Sequence, residues 1–173
     1  HRSNAGALDY ARYLFLLELS HLWGPDIDVP EPSPGDAIGF PFHWSFFMDR
    51  PSPAGGNAWT DNGDGTFTVV QGDPGTVKFS ELDLYLMGLA EASEVAPFSV
   101  LVPTEVPVTP TDPFWGGAFS KQSFAWFDTE NPLLTVTATK RALTVDDVIA
   151  ANGVRTPDAG VKTSFTMGIV LVV

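Results

Sequence analysis

The strongest helical pattern of apolar residues lies at the start of the chain. Ser3 or Asn4 can cap a helix that runs to about Trp23, and Gly24-Pro25 ends it. Apolar residues surround the second half of this helix on nearly all sides, whereas an ordinary surface helix has one apolar stripe. The pattern therefore predicts a long first helix whose second half is buried.

Capping residues predict two further helices. Ser80 precedes a short apolar segment, Glu81 to Leu89, whose larger apolar side chains share one side. Thr144 precedes an acidic first turn and a segment that ends at Asn152-Gly153, where glycine suits the left-handed conformation that closes many helices. We expect both of these helices to be short.

Strand-forming residues occur on both sides of the second predicted helix. The tight-turn sequence Asp61 to Gly65, with Trp59 before it and Thr66 to Val70 after it, predicts a β-hairpin. The apolar run Phe40 to Met48 can hold another strand. After residue 95 the chain is rich in β-branched and aromatic residues, and strands are predicted at Phe98–Val102, Val106–Val108, Ser123–Phe127, Leu133–Thr139 and Ser164–Val173. This pattern predicts an α+β fold with residues 1–173 as a single domain.

The composition of the chain limits the classes of partner and of metal ligand that can be expected. The formal net charge is −12, which repels nucleic acid and anionic membrane surfaces and suits calcium or other cations, although it also serves solubility alone. The chain has no cysteine, so a metal ion would have to bind to His, Asp or Glu. No apolar run approaches the roughly 20 residues that a membrane helix needs. We therefore expect neither a nucleic-acid partner nor membrane insertion.

One segment of the first helix has the spacing of a zinc site. Residues four apart on a helix share a face, so the sequence H-E-x-x-H places two imidazoles on one zinc ion and a glutamate beside the metal-bound water. Here the pentad is Leu17-Glu18-Leu19-Ser20-His21. Glu18 has the spacing of a catalytic base and His21 that of a zinc ligand, but Leu17 offers only hydrocarbon. The alternative is that Glu18 and His21 are simply a local pair on the helix.

Several segments together resemble a known group of proteins. They are His21-Leu22-Trp23, His43 to Phe47, Gly56 to Thr68, Ser80 to Leu89, Val95 to Phe98 and Thr144 to Pro157. In these segments the chain resembles uncharacterised bacterial secreted proteins that are predicted zincin-like metallopeptidases, whose first motif is H-E-L-G-H-x-W. The resemblance covers nearly the whole chain. It implies a secreted protein with a zincin-like active-site helix and a short second helix, followed by a β-rich C-terminal half.

The same resemblance suggests further metal ligands. In zincins a third zinc ligand comes from a downstream helix, and Asp83 stands where these relatives carry Asp or Glu; its other interpretation is a capping carboxylate. His43 is either a hydrogen-bonded core residue or a substitute for the missing imidazole. The segment Asp61 to Gly65 loosely resembles a calcium loop but lacks the bidentate glutamate of an EF-hand, so a hairpin turn with calcium as an alternative is expected there.

Two departures from the zincin pattern weaken the prediction of catalysis. Catalytic zinc normally takes three protein ligands, so Leu17 predicts impaired or absent activity on a protein or peptide substrate. Only sixteen residues precede Leu17, whereas zincins have a sheet before the active-site helix. We therefore expect either a fragment of a longer chain or an incomplete substrate cleft.

Two other functions are compatible with the sequence. The first is a non-enzymatic structural, adhesion or assembly module built on a zincin-like core, with self-assembly through exposed strands. The second depends on His1, because an N-terminal histidine can chelate copper through its amine and its ring, as in lytic polysaccharide monooxygenases. Zinc binding separates the peptidase from the non-enzymatic module, and copper binding tests the role of His1.

Overall fold

The computed structural model of the chain describes residues 4–23, 39–40, 43–70, 76–104 and 135–156. The helices are α1 (Asn4–Ser20), α2 (Glu81–Met87) and α3 (Val145–Asn152). The strands are β1 (Gly39–Phe40), β2 (His43–Asp49), β3 (Gly55–Asp61), β4 (Thr66–Val70), β5 (Phe98–Pro103) and β6 (Thr135–Leu143). A 3₁₀ turn, Ala92–Glu94, precedes β5.

Strands β2 to β6 close into a five-stranded barrel. Neighbouring strands follow the order β2-β3-β4-β6-β5, and β5 pairs back onto β2 through Val100 and Met48. The β2–β3 pair is parallel and the other barrel pairs are antiparallel. Strand β1 pairs with the start of β2 beside the barrel. Closure gives each barrel strand a neighbour on both sides.

The predicted zincin-like α+β arrangement, with a β-rich C-terminal half, is wrong. Strands β1 to β4 precede α2, and β5 and β6 complete the same barrel. The error arises because β4 pairs with β6, for example Thr66 with Thr137, across a long stretch of sequence that includes α2. Strands predicted at residues 106–108, 123–127 and 164–173 lie outside the described residues.

Two apolar clusters form on the two faces of the barrel wall. The inner cluster contains Trp59, Phe67, Val69, Leu101, Val136 and Ala138, and Phe47 packs against it. The outer cluster lies between the barrel and helices α2 and α3, and includes Trp44, Met48, Leu82, Tyr85, Phe98, Val100, Leu143 and Val148. Successive side chains of a strand point to opposite faces, so Val100 and Leu101 of β5 contribute to different clusters.

The three helices and the hairpin are found where they were predicted, but the burial predicted for α1 is wrong. The side of α1 that carries Tyr13 and Leu17 packs against Val77. On its other side Phe15 is 49% exposed and Leu22 is 77% exposed. Because apolar residues lie all round the helix, the sequence pattern could not distinguish the face that packs against Val77 from the face on which Phe15 and Leu22 are exposed. Within the described residues, no helix combines the length and apolar character needed to cross a membrane.

The parallel β2–β3 pair depends on a tight reversal of the chain. Residues 50–54 return toward the start of β2, and the chain then turns between Ser52 and Gly55, where the Ser52 N–H donates to the Gly55 carbonyl at 2.8 Å. Gly56 follows with φ of +73°. A Cβ atom there would collide with the Arg50 carbonyl of the returning segment. Glycine is therefore required both by its conformation and by the close backbone approach.

We expect Gly56→Ala to lower the free energy of unfolding by more than about 2 kcal/mol, because it adds a steric collision to an unfavourable φ. The matched control is Gly63→Ala, since Gly63 has φ of +80° and nothing within 4 Å of an added Cβ. The control should cost only about 1 kcal/mol. Urea unfolding followed by tryptophan fluorescence measures both, and equal losses would contradict the role of the close approach.

Candidate functional site

Leu17, at the position of the missing zinc ligand, faces the domain. Its side chain packs against the small cluster of Tyr13 and Val77. Its carbonyl accepts a hydrogen bond from the Ser20 hydroxyl at 2.6 Å, so the serine of the pentad is also engaged within α1. Hydrocarbon therefore occupies the position where the zincin pattern has its first histidine.

Glu18 and His21 form a local pair on α1. The Oε2 atom of Glu18 lies 3.4 Å from Nδ1 of His21, and the side chains are 70% and 34% exposed, respectively. Glu18 follows Leu17 by about 100° around the helix, which turns it from the domain toward solvent. This geometry agrees with a local pair three residues apart. The catalytic role of Glu18 and the zinc-ligand role of His21 stay predictions.

Aromatic contacts hold α1 on the rest of the domain. The buried Tyr13 hydroxyl lies 3.5 Å from the carbonyl oxygen of Pro53, in the turn before β3. Its burial, assisted by the nearby Tyr10, raises the pKa of Tyr13 far above its usual range. Just after α1, Trp23 packs edge-to-face on Phe79 with ring centroids 5.7 Å apart. These contacts position α1 beside the segment that leads into α2.

Asp83 is a buried carboxylate at the start of α2. Its Oδ1 accepts a hydrogen bond from the Trp44 indole N–H at 2.7 Å. Its Oδ2 accepts the Ser80 backbone N–H at 2.7 Å and the Ser80 hydroxyl at 2.6 Å. The Ser80 hydroxyl in turn accepts the Asp83 backbone N–H, which completes a capping box. Both carboxylate oxygens therefore have hydrogen-bond donors from within the domain.

The surroundings of Asp83 explain how a carboxylate is tolerated in the core. Burial raises the pKa of Asp83, and hydrogen bonds from Ser80, Trp44 and Ser52 offset only part of this effect. Trp44 is on β2, so its bond with Asp83 joins two elements 39 residues apart. The structure thus shows Asp83 as a capping carboxylate, one of its two interpretations, and the zinc-ligand role stays a prediction.

The structure describes the remaining metal candidates only in part. Among the residues that the structure describes, no group of three or more His, Asp or Glu side chains could hold a metal ion. His43 is the first residue of β2 and its backbone pairs with Phe40, but its side chain lies outside the described atoms. Its role as a substitute ligand stays a prediction. His1, the copper candidate, also lies outside the described residues.

The acidic segment Asp61 to Gly65 forms the predicted hairpin turn between β3 and β4. Oδ1 of Asp61 accepts the Gly63 N–H at 2.8 Å. Oδ1 of Asp64 accepts the Thr66 backbone N–H at 3.0 Å and the Thr66 hydroxyl at 2.6 Å, and these bonds lower the pKa of Asp64. The two carboxylates thus stabilise the turn, while calcium binding there stays a prediction.

Sequence reasoning missed the two side chains that reach Asp83 from outside its helix, Trp44 and Ser52. The sequence held one weak indication of the contact between Trp44 and Asp83. A tryptophan within a buried aromatic run needs an acceptor for its indole N–H, and a carboxylate in an apolar segment needs donors. Complementary requirements of this kind could have paired Trp44 with Asp83.

The chain matches no protein-family model, no curated protein and no solved structure. The resemblance to zincin-like secreted proteins therefore stays a prediction.

We expect Asp83→Asn to lower the free energy of unfolding by about 1–3 kcal/mol, because an amide N–H₂ would face the N–H donors of Ser80 or Trp44. A carboxyl whose pKa is raised on folding contributes stability that is fully present below its unfolded pKa, ordinarily 3.8, and is lost as pH rises through the raised pKa. The loss caused by the substitution should therefore be larger at pH 4 than at pH 7.

Urea unfolding of both proteins across this pH range measures the difference. Asp64→Asn is the control, because the pKa of the exposed Asp64 is lowered from 3.8, so its contribution is lost only as pH falls below that value and should stay nearly constant from pH 4 to pH 7. A loss for Asp83→Asn that grows from pH 4 to pH 7 would show that folding does not raise the pKa of Asp83.

Proposed function

We propose that this chain is a non-enzymatic binding or assembly module built on a small β-barrel. The observation that carries the proposal is the engagement of Asp83, whose two carboxylate oxygens bond to Trp44 and Ser80 in the core. The packing of Leu17 against Tyr13 and Val77 supports it independently. Asp83 and Leu17, which stand where the zincin pattern would place metal ligands, therefore both contribute to the fold.

The cost of recruiting Asp83 to a metal ion supports the same proposal. Zinc bonds of about 2.0 to 2.2 Å would require the carboxylate to turn toward the ion. The Trp44 indole and the Ser80 backbone N–H would then lose their acceptor in the core, at about 1–3 kcal/mol for each donor left unpaired. Glu18, which would serve as the base, is largely exposed to solvent and not enclosed in a dry site.

A secreted zinc metallopeptidase of reduced activity, acting on a protein or peptide, is the second candidate. The observation in its favour is the proximity of Glu18 and His21 on one helix, with the spacing of a base and a zinc ligand. The resemblance to secreted zincin-like proteins is the basis for both the extracellular location and the zinc cofactor. The two functions differ in zinc binding and in hydrolysis.

We expect the purified chain to bind no stoichiometric zinc in calorimetric titration and to leave casein intact with or without added zinc, because Leu17 cannot coordinate the metal. Glu18→Gln should change neither result. The proposal fails if zinc binds in one equivalent, if His21→Ala removes that binding, and if Glu18→Gln abolishes a zinc-dependent hydrolysis of casein.

The variant Leu17→His completes the H-E-x-x-H sequence. We expect it to lower the free energy of unfolding by about 1–3 kcal/mol, because an imidazole replaces hydrocarbon beside Tyr13 and Val77. We expect it to create no zinc-dependent hydrolysis. The control is Leu16→His, a half-buried leucine on the same helix that lacks the four-residue spacing to His21. Zinc-dependent cleavage by Leu17→His alone would favour the metallopeptidase.

A further inference from the structure

The chain contains two Asn-Gly sequences, and both lie within the described residues. Asn62-Gly63 is in the exposed turn between β3 and β4, and Asn152-Gly153 ends α3. The backbone nitrogen of the residue after an asparagine can attack its side-chain carbonyl carbon, and a following glycine has no side chain to hinder the attack. Each pair is therefore a candidate for deamidation, which converts the side-chain amide into a carboxylate.

Deamidation consumes water and releases ammonia. The glycine nitrogen forms a bond to Cγ of the asparagine and gives up its proton, while the bond from Cγ to Nδ2 breaks and that nitrogen leaves as ammonia. Water then opens the resulting cyclic imide at either of its carbonyls, which gives aspartate or isoaspartate. The rate therefore depends on what accepts the proton of the glycine N–H and on how freely the asparagine side chain can turn toward it.

The two glycine N–H groups have different acceptors. The Gly63 N–H donates to Oδ1 of Asp61 at 2.8 Å, and both residues are exposed. A carboxylate can take up the proton as the new bond forms. The Gly153 N–H donates to the Ile149 carbonyl at 2.8 Å, which is the bond that closes α3. An amide carbonyl is a much weaker base, so the nitrogen at Gly63 is the better placed to react.

The fold restrains the side chain of Asn62. Its Nδ2 donates to the Thr66 hydroxyl at 2.9 Å and to the Thr68 hydroxyl at 3.0 Å, so two residues of β4 hold the amide. Its backbone N–H also donates to the Thr66 carbonyl at 3.0 Å. Interactions that stabilise the reactant and are lost on the way to the transition state slow a reaction. The two hydroxyls therefore oppose loss of the amide.

We propose that Asn62 is a deamidation site whose rate is set by the hydroxyls of Thr66 and Thr68. The Asp61 carboxylate accepts the proton of the Gly63 N–H as the imide forms. Asn152 reacts more slowly, because its attack requires the closing bond of α3 to break. This inference is independent of the proposed non-enzymatic function.

The product changes the hairpin. An aspartate at position 62 places an acceptor where Nδ2 was a donor, and it adds a third carboxylate beside Asp61 and Asp64. The Thr66 hydroxyl already donates to Oδ1 of Asp64 at 2.6 Å, so it cannot turn to the new carboxylate without leaving that bond. Isoaspartate also lengthens the main chain of the turn by one methylene. Deamidation therefore weakens the β3–β4 hairpin.

The first test compares the two asparagines by peptide mass spectrometry after incubation of the folded protein in mildly alkaline buffer. We expect Asn62 to deamidate at least about tenfold faster than Asn152, because only the reaction at Asn152 breaks the closing bond of a helix. In concentrated urea the two rates should become similar, since the fold no longer separates them. Equal rates in the folded protein overturn the assignment of the site.

The second test removes one restraint. Thr68→Val keeps the branched shape and loses the hydroxyl, so we expect deamidation of Asn62 to become about fivefold faster, the factor that corresponds to one hydrogen bond of ordinary net strength. Thr68→Ser keeps the hydroxyl and should keep the slow rate. The matched control is Thr137→Val on β6, which removes an exposed threonine hydroxyl from the strand beside β4. An unchanged rate in Thr68→Val, or an equal increase in Thr137→Val, overturns the restraint.

The third test concerns the proton acceptor and the product. Asp61→Ser keeps an oxygen for the Gly63 N–H but removes the carboxylate, so deamidation should slow at least about threefold; a faster reaction would show that Asp61 protects Asn62. The deamidated protein, separated by its added negative charge, should unfold at a lower urea concentration than the unmodified protein. An unchanged midpoint would overturn the weakening of the hairpin.

Discussion

The buried carboxylate of Asp83 is the interaction on which the arrangement of helix and barrel depends. It accepts hydrogen bonds from Trp44 on β2 and from Ser80 at the start of α2, so one side chain fixes the position of the helix relative to the strand. Leu82 and Tyr85 enter the outer cluster from the same helix. The cost of burying the carboxylate is thereby offset in part by directional hydrogen bonds.

The barrel imposes a second constraint that is met at the join of β2 and β3. A parallel pair normally needs a long crossover, whereas here residues 50–54 suffice because the returning segment lies directly against β3 at Gly56. That segment also carries Ser52, one of the donors to Asp83, and Pro53, whose carbonyl meets the Tyr13 hydroxyl. The turn therefore connects the barrel, the Asp83 network and α1, and a distortion there would reach all three.

Features determined by neighbouring residues were predictable from the sequence, and those determined by distant pairing were not. Ser80 and Thr144 indicate where their helices begin, because a helix cap involves only neighbouring residues. The turn sequence Asp61 to Gly65 indicates its hairpin for the same reason. The barrel depends on contacts such as Met48 with Val100, which no local pattern encodes. Asp83 kept two interpretations because the choice between them required the location of Trp44, a residue far away in sequence.

The surroundings of Leu17 and Glu18, which stand at the zincin motif positions, follow from which face of α1 packs against the domain. Position 17 lies on the face that packs against Tyr13 and Val77, so an apolar side chain suits it. Glu18 lies about 100° away, in water, where its charge is solvated and its pairing with His21 is weak. The same rotation of α1 turns Phe15 away from the core. The orientation that gives Leu17 its packing is therefore also the one that leaves the Phe15 side chain 49% exposed.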